Sequence, residues 1–176
     1  MIRSLLLPAG VFAVVAAISH MITLSVLPSV IMKRAVDLMA ERGVPLHAFA
    51  LVPRSTPETQ SVVRTSPDVA YSVCRFDLSD GPVLVQGTAW NSYGSLNVYD
   101  GQTDNIFGID LGPEQPRVIG TVLSLDRDKD QPVPDGLMVH VLKDPKGIAL
   151  IRRLSPTDEH YLLAEHAAEG DVCRPL

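Results

Sequence analysis

Hydrophobic and polar positions are sharply segregated along this chain. From Ser4 to Met32 there is no Asp, Glu, Lys or Arg, and His20 is the only ionisable side chain. The centre of that run, Leu5 to Leu27, is long enough as a helix to cross a hydrocarbon core about 30 Å thick. It exceeds the roughly 7–15 apolar residues of a secretory signal core. Ala13 to Ala17 imitates a cleavage site, but more apolar chain follows it. The pattern predicts a retained transmembrane anchor, with a cleaved signal and a buried core helix as the alternatives. Pro8 is expected in the first turn, where a missing N–H costs little, and Pro28 near the far interface.

Beyond the anchor the period stays helical. Ile31, Ala35 and Leu38, with Met32, Val36 and Met39, recur at spacings of three and four, while Lys33, Asp37 and Glu41 lie opposite. This is an amphipathic extension over Val30 to Arg42. Gly43 suits the position after the helix and Pro45 forbids continuation. Such an extension packs on its own domain, or serves as a neck against a partner subunit or the membrane surface. Leu46 to Pro67 has no clear period and reads as a connecting segment with one short strand at Ala48–Val52.

From Val69 the pattern becomes that of short strands. Val69–Leu78 and Val83–Gly87, separated by the turn Ser79-Asp80-Gly81-Pro82, read as a hairpin. Further strands are expected at Ser95–Tyr99, Val118–Leu125, Met138–Leu142 and Ile148–Leu154. Turn signals lie between them at Gly112-Pro113, Asp126 to Pro134 and Asp144 to Gly147. A short helix over Pro156–Ala168 follows, capped by Ser155 with Pro156 at its first position and ended by Gly170. The predicted fold is mainly β: an antiparallel sandwich or open barrel, preceded by one transmembrane helix with an amphipathic extension and followed by a short C-terminal helix. The organisation is an anchor over residues 1–32, a helix and connecting segment over 33–64, and a β-rich domain over 65–176.

Charge narrows the partners. Arg3 is the only charged side chain among residues 1–32, so the remainder holds all 20 acidic residues against 14 of the 15 basic ones. An acidic domain with no basic patch lacks what phosphate neutralisation requires, so no nucleic acid is expected. Basic residues flanking the anchor are nearly balanced: the N-terminus and Arg3 on one side, Lys33, Arg34 and Arg42 on the other. If anything the count places the body in the cytoplasm. The cysteines point the other way. A bridge between Cys74 and Cys173 would need an oxidising compartment; the alternative is two unrelated thiols.

Two blocks resemble a known family. Ser66-Pro67-Asp68-Val69-Ala70-Tyr71-Ser72 with Asp77-Leu78-Ser79-Asp80-Gly81-Pro82-Val83 is similar to the opening strands of the bacterial domain-of-unknown-function 1254 family. Tyr93-Gly94-Ser95-Leu96-Asn97-Val98-Tyr99-Asp100, then Thr103-Asp104-Asn105-Ile106-Phe107, continues the likeness, and Gly136 to Val139 and Gly147 to Arg153 echo it. The resemblance spans about residues 65–160. It implies a β-rich domain, usually exported in bacteria. Long members carry a second domain, of the unknown-function family 1214, on the same chain. Asp68-Val69-Ala70 departs from the pattern by replacing a longer polar stretch, so a site built there in longer relatives would be lost. By analogy the resemblance implies assembly with another membrane or periplasmic protein, including a separate chain of the 1214 type.

Candidate chemistry is sparse. Asp100, Thr103, Asp104 and Asn105 are the densest polar cluster near a strand end. Their oxygens suit a hard cation, yet the same residue types cap turns, and capping is the favoured reading. Arg75 and Asp77, two apart on one strand, share a face; they form a surface pair or line a pocket. Asp126-Arg127-Asp128-Lys129-Asp130 opens like a calcium loop, but Gln131 and Leu137 occupy the positions that need glycine and glutamate. His47, His140, His160 and His166 show no metal spacing, and no hydrolase, dinucleotide or phosphate-loop motif is present. No metal or cofactor is expected. His20, at membrane depth, would favour contact with another helix. The expected role is a non-catalytic interaction or assembly subunit of the bacterial envelope, tethered to the inner membrane with its β domain in the periplasm. The alternative is an envelope-associated enzyme or ligand-binding module for a carbohydrate-like or cell-envelope substrate, its site near Arg75, Asp77, Asp100 and Asp104.

Overall fold

A computed structural model describes residues 2–56 and 65–176. Residues 57–64 of the expected connecting segment lie outside the described residues. The apolar run and its amphipathic extension form one helix, α1 (Ile2–Glu41), unbroken through Met32 and Lys33. Because it starts at Ile2, Pro8 lies beyond the first turn, and Pro28 is interior as well. The segment from Leu7 is long and apolar enough to cross a membrane, and none of its apolar window is buried against the rest of the chain. Its hydroxyls do not stay free: Ser19, Thr23 and Ser25 donate to the carbonyls of Val15, Ser19 and Met21. The helix ends as the sequence predicts. Gly43 has φ 81°, its N–H donates to Ala40 O, and the Val44 N–H donates to Met39 O, the paired bonds of a glycine-terminated helix.

The remainder is two packed sheets, as expected for a sandwich. One has five antiparallel strands in the order β1 (Ala50–Val52), β2 (Val69–Asp77), β8 (Lys146–Leu154), β4 (Gly94–Tyr99) and β5 (Asn105–Asp110). The other has four, in the order β7 (Met138–Leu142), β6 (Val118–Leu125), β3 (Val83–Thr88) and β9 (Val172–Pro175). The inward positions alternate along each strand. Cys74, Phe76, Leu96, Val98, Ala149 and Ile151 come from the first sheet and meet Val83, Val85, Leu123 and Cys173 of the second. Leu111 sits in the same cluster and closes the core at the end of β5.

Four local expectations are corrected. β2 and β3 are not a hairpin: the Ser79–Pro82 turn carries the chain from one sheet to the other, because Leu78 and Val83 both point into the core between them. β6 and β7 pair in parallel, so the Asp126–Leu137 connection is a crossover rather than a tight turn. Two strands, β5 and β9, were not foreseen. β5 begins within the polar cluster around Asn105, and β9 lies beyond Gly170 in a tail too short to show alternation. The C-terminal helix α2 spans Asp158–Ala168 and is capped by Thr157, whose hydroxyl accepts from the His160 N–H. Ser155 is instead buried, its hydroxyl donating to Arg153 O. α2 presents Ala164 and Tyr161 to a small second cluster with Ala70 and Trp90.

Candidate functional site

Three places in this fold concentrate polar chemistry. The first is a buried clasp around the last strand. Cys74 and Cys173 are joined by a disulfide, with Cα atoms 6.5 Å apart. The bond crosses from β2 in one sheet to β9 in the other. Two residues from Cys173, Asp171 receives a two-pronged ion pair from Arg153 of β8: Nη1 to Oδ2 at 2.9 Å and Nη2 to Oδ1 at 2.6 Å. Arg153 Nη2 also donates to Thr88 O, and Asp171 Oδ1 accepts the Thr88 N–H. The pair therefore joins both sheets to the turn that feeds β9. Arg153 Nε has no partner among the described residues. An ion pair so enclosed is a structural joint: no solvent or ligand reaches it. Sequence reasoning missed it because Arg153 and Asp171 are separated by a whole helix.

The second place holds the residues singled out from sequence, and it divides in two. Arg75 donates through Nε and Nη2 to the carbonyl of Val44, at 3.0 and 2.8 Å. Asp77 faces Lys146 at 3.4 Å and accepts from the Ser79 N–H and hydroxyl. Partial burial works against its charge, but the Ser79 bonds and Lys146 prevail and hold its carboxyl below the usual range. The ring of His47, a residue with φ 57°, bonds the Asp77 main chain. These contacts pin the segment after α1 to the end of β2. Asp100, Thr103, Asp104 and Asn105 lie instead at the β4–β5 turn. Asp100 Oδ1 accepts the N–H groups of Gln102 and Asp104 at 2.8 and 3.0 Å. That is a self-capped turn, with Thr103 at φ 69°. Among the described residues no group of three His, Cys, Asp or Glu is arranged to hold a metal ion.

The same turn touches α1. Gln102 Nε2 donates to Ser29 Oγ at 2.6 Å. Met32, one helical turn on, is buried, and α1 meets β8 here. The helix is thus fastened to the domain at the C-terminal end of its uncharged stretch.

The third place lies on the outer face of the five-stranded sheet. Since Leu96 and Val98 face the core, Ser95, Asn97 and Tyr99 face out. The register aligns Tyr71, Arg152, Ser95 and Asp110 in one row across four strands. Val73, Leu150, Asn97 and Gly108 make the next. The Asn97 amide leans over Gly108 in that row, and a wide-open shallow hollow lies there, lined by Tyr93, Asn97 and Asp110 among others. Tyr93 is 57% exposed. Asn97 and Asn105 bond through their amides at 3.1 Å, and Arg152 Nη2 reaches the Tyr99 hydroxyl at 3.4 Å.

The family profile for proteins of unknown function called DUF1254 matches residues 46–175. The chain belongs to this family. The DUF1254 match includes β1 through β9, so it covers both sheets and the clasp. No curated protein matches the chain. Among solved structures it is similar to the VPA0106 protein from Vibrio parahaemolyticus, with a TM-score of 0.62 at 16% identity over 82% of this chain and 34% of that one. A protein from Burkholderia cenocepacia gives a TM-score of 0.44 at 19% identity, over 77% of this chain and 37% of its own. The chain therefore spans about a third of the length of each of these proteins. The likeness to the Vibrio protein extends to the fold alone.

Proposed function

We propose that this DUF1254 protein is a single-span inner-membrane protein whose β domain works in the periplasm as a non-catalytic interaction or assembly subunit of the bacterial envelope. The observation that carries the reading is the Cys74–Cys173 disulfide in the body of a chain that begins with a bare apolar helix. Disulfides persist in oxidising compartments, and a helix with nothing of its own chain against it needs lipid or protein to cover it. Because the flanking basic residues are nearly balanced, they do not oppose this orientation strongly. Arg75, Asp77 and Asp100 are engaged by the segment after α1 and by turn N–H groups, which supports a subunit over an enzyme. The first candidate companion is a separate chain of the unknown-function family 1214, the partner that the family resemblance suggests.

Two measurements test the proposal. In spheroplasts, a protease added outside should digest the β domain and leave α1 membrane-bound; protection of the domain would overturn the periplasmic placement. Co-expression with a 1214-type chain in mild detergent should yield a stoichiometric complex by size-exclusion chromatography and cross-linking. A monodisperse, solitary protein under those conditions would overturn the assembly role.

A further inference from the structure

We propose that the β4–β5 turn and the neighbouring end of β7 rest in the headgroup layer of the bilayer, so that the β domain is seated on the membrane as well as tethered to it. The inference rests on α1 being a membrane span and adds which flank of the domain meets the lipid. Its first ground is a difference of level along the helix. Gln102 of the turn bonds Ser29, but no charge follows Arg3 until Lys33, one helical turn and about 6 Å further on. Between them Val30 and Ile31 are 49% and 53% exposed. Apolar side chains on an uncovered helix side belong in lipid, and Lys33 and Arg34 mark the water-facing boundary. The lipid therefore reaches past Ser29 on the open side of α1, and the turn bonded to Ser29 lies at that boundary.

The path of α1 across the domain is the second ground. Ser29 meets the β4–β5 turn, the helix touches β8, and Val44, just beyond its end, accepts from Arg75 of β2. These strands stand in the order β5, β4, β8, β2. The helix thus runs from the β5 flank towards the β2 flank, and its apolar part, followed back towards the N-terminus, projects past β5. In the other sheet β7 occupies the same flank: the rings of Phe107 and His140 have centroids 4.9 Å apart. The end of β7 also comes up to the bonded turn, where a Cβ on Gly101 would stand 2.8 Å from Asp144 Cβ.

The surface so placed suits lipid. Leu142 faces the core, so Val141 faces outward and is 50% exposed. Lys143 beside it is exposed and can lay its stem on apolar surface with its ammonium among headgroups. Asp104 on the exposed tip of the turn offsets that charge, so burial and the tether, rather than anionic lipid, hold the contact. β7 is an edge strand with no Asp, Glu, Lys, Arg or Pro, the residues that keep an open edge from pairing with another chain; an edge laid against a bilayer is protected without them. α2 packs on β1, β2 and β3, the opposite flank, so Leu162, 64% exposed, is turned away from the membrane.

Tryptophan depth measurement on the full chain tests this. Trp90 is the only native tryptophan and is buried, which gives a constant background. Val141→Trp, Asp104→Trp, Leu162→Trp and Ile18→Trp are each placed in nanodiscs of phosphatidylethanolamine and phosphatidylglycerol, with acyl chains brominated either near the glycerol or near the methyl end. Loss of emission from Val141→Trp and Asp104→Trp with the shallow bromines, and none from Leu162→Trp, is the expected result. The two probes occupy separate exposed positions, so either one reads the surface if the other variant does not fold. Quenching of Ile18→Trp by the deep bromines while Val141→Trp and Asp104→Trp stay bright would overturn the seating and leave the span intact. Equal quenching of Leu162→Trp would overturn it as indiscriminate adsorption. An unquenched Ile18→Trp would refute the span itself, and the seating with it.

Discussion

Arg153 and Asp171 form a bidentate ion pair with side-chain exposures of 1% and 0%. The charges come from β8 of one sheet and from the turn before β9 of the other, and Thr88 supplies a main-chain bond to each. Breaking such a pair is far costlier than its net contribution, because the survivor remains charged and unsolvated. Asp171→Ala should lower unfolding free energy by about 3–5 kcal/mol. Asp171→Asn should cost less, since its amide oxygen still accepts the Thr88 N–H. Denaturant titration of the two variants checks the order; equal losses would mean that the missing charge, common to both, accounts for the whole cost and the Thr88 bond for none of it.

The disulfide lies two residues further along, on β9. It closes a sequence separation of 99 residues, for which chain entropy alone predicts about 4–5 kcal/mol. Cys74→Ala with Cys173→Ala should therefore show a lower denaturation midpoint and loosen β9 first. Amide exchange should rise most at Val172 to Arg174, whose strand pairs only with β3. Uniform exchange across both sheets would argue against this order.

Thr103 sits at φ 69°, a conformation that a β-branched residue adopts at a cost. Thr103→Gly should leave stability unchanged or raise it by up to about 1 kcal/mol. Asp100→Ala, by contrast, removes the acceptor for two N–H groups of the same turn and should cost about 1–2 kcal/mol. Thermal melts read both, and elemental analysis of the Asp100→Ala protein should show the same metal content as the parent.

Gln102 and Ser29 make a side-chain hydrogen bond between the β4–β5 turn and α1. Gln102→Ala should scarcely change the melting temperature, because burial of Met32 on the same helix remains. It should instead broaden the distance distribution between spin labels on α1 and on β5. An unchanged distribution would show that packing alone sets the joint.

Asp77 gives a pH dependence of known sign. Its folded carboxyl titrates below the ordinary aspartate range, so the unfolded chain takes up the proton first as pH falls. The stability it contributes is present above the unfolded value and is lost as pH drops through the lower folded one. Against Asp77→Asn, the parent should therefore lose its advantage only in that acid range. Its partner Lys146 is 64% exposed, so solvent screens the pair and the effect should be small.

Much of the fold can be read along the chain. Ser79-Asp80-Gly81-Pro82 announces a turn, and the alternation from Val69 to Phe76 announces a strand. Neither reports that the strands on either side join different sheets, because turn chemistry is local and sheet membership is not. β5 escaped notice for a related reason. Asn105, Gly108 and Asp110 face outward, leaving only Ile106, Phe107 and Ile109 as apolar signal. The polar residues at the β4–β5 turn were visible, but those that face outward beside them, Ser95 and Asn97, become a surface only once β8 and β5 are laid on either side.

By itself the sequence determined the apolar helix and its glycine stop, the β-rich body, the family and the cysteines available for a bridge. Those follow from composition, period and local stereochemistry, which neighbouring residues express on their own. Tertiary structure alone decided that Cys74 meets Cys173, that Arg153 is neutralised by Asp171, and that the Asn97 amide lies over Gly108. Each depends on strand order and register, which are set by how two apolar faces bury each other across the whole domain.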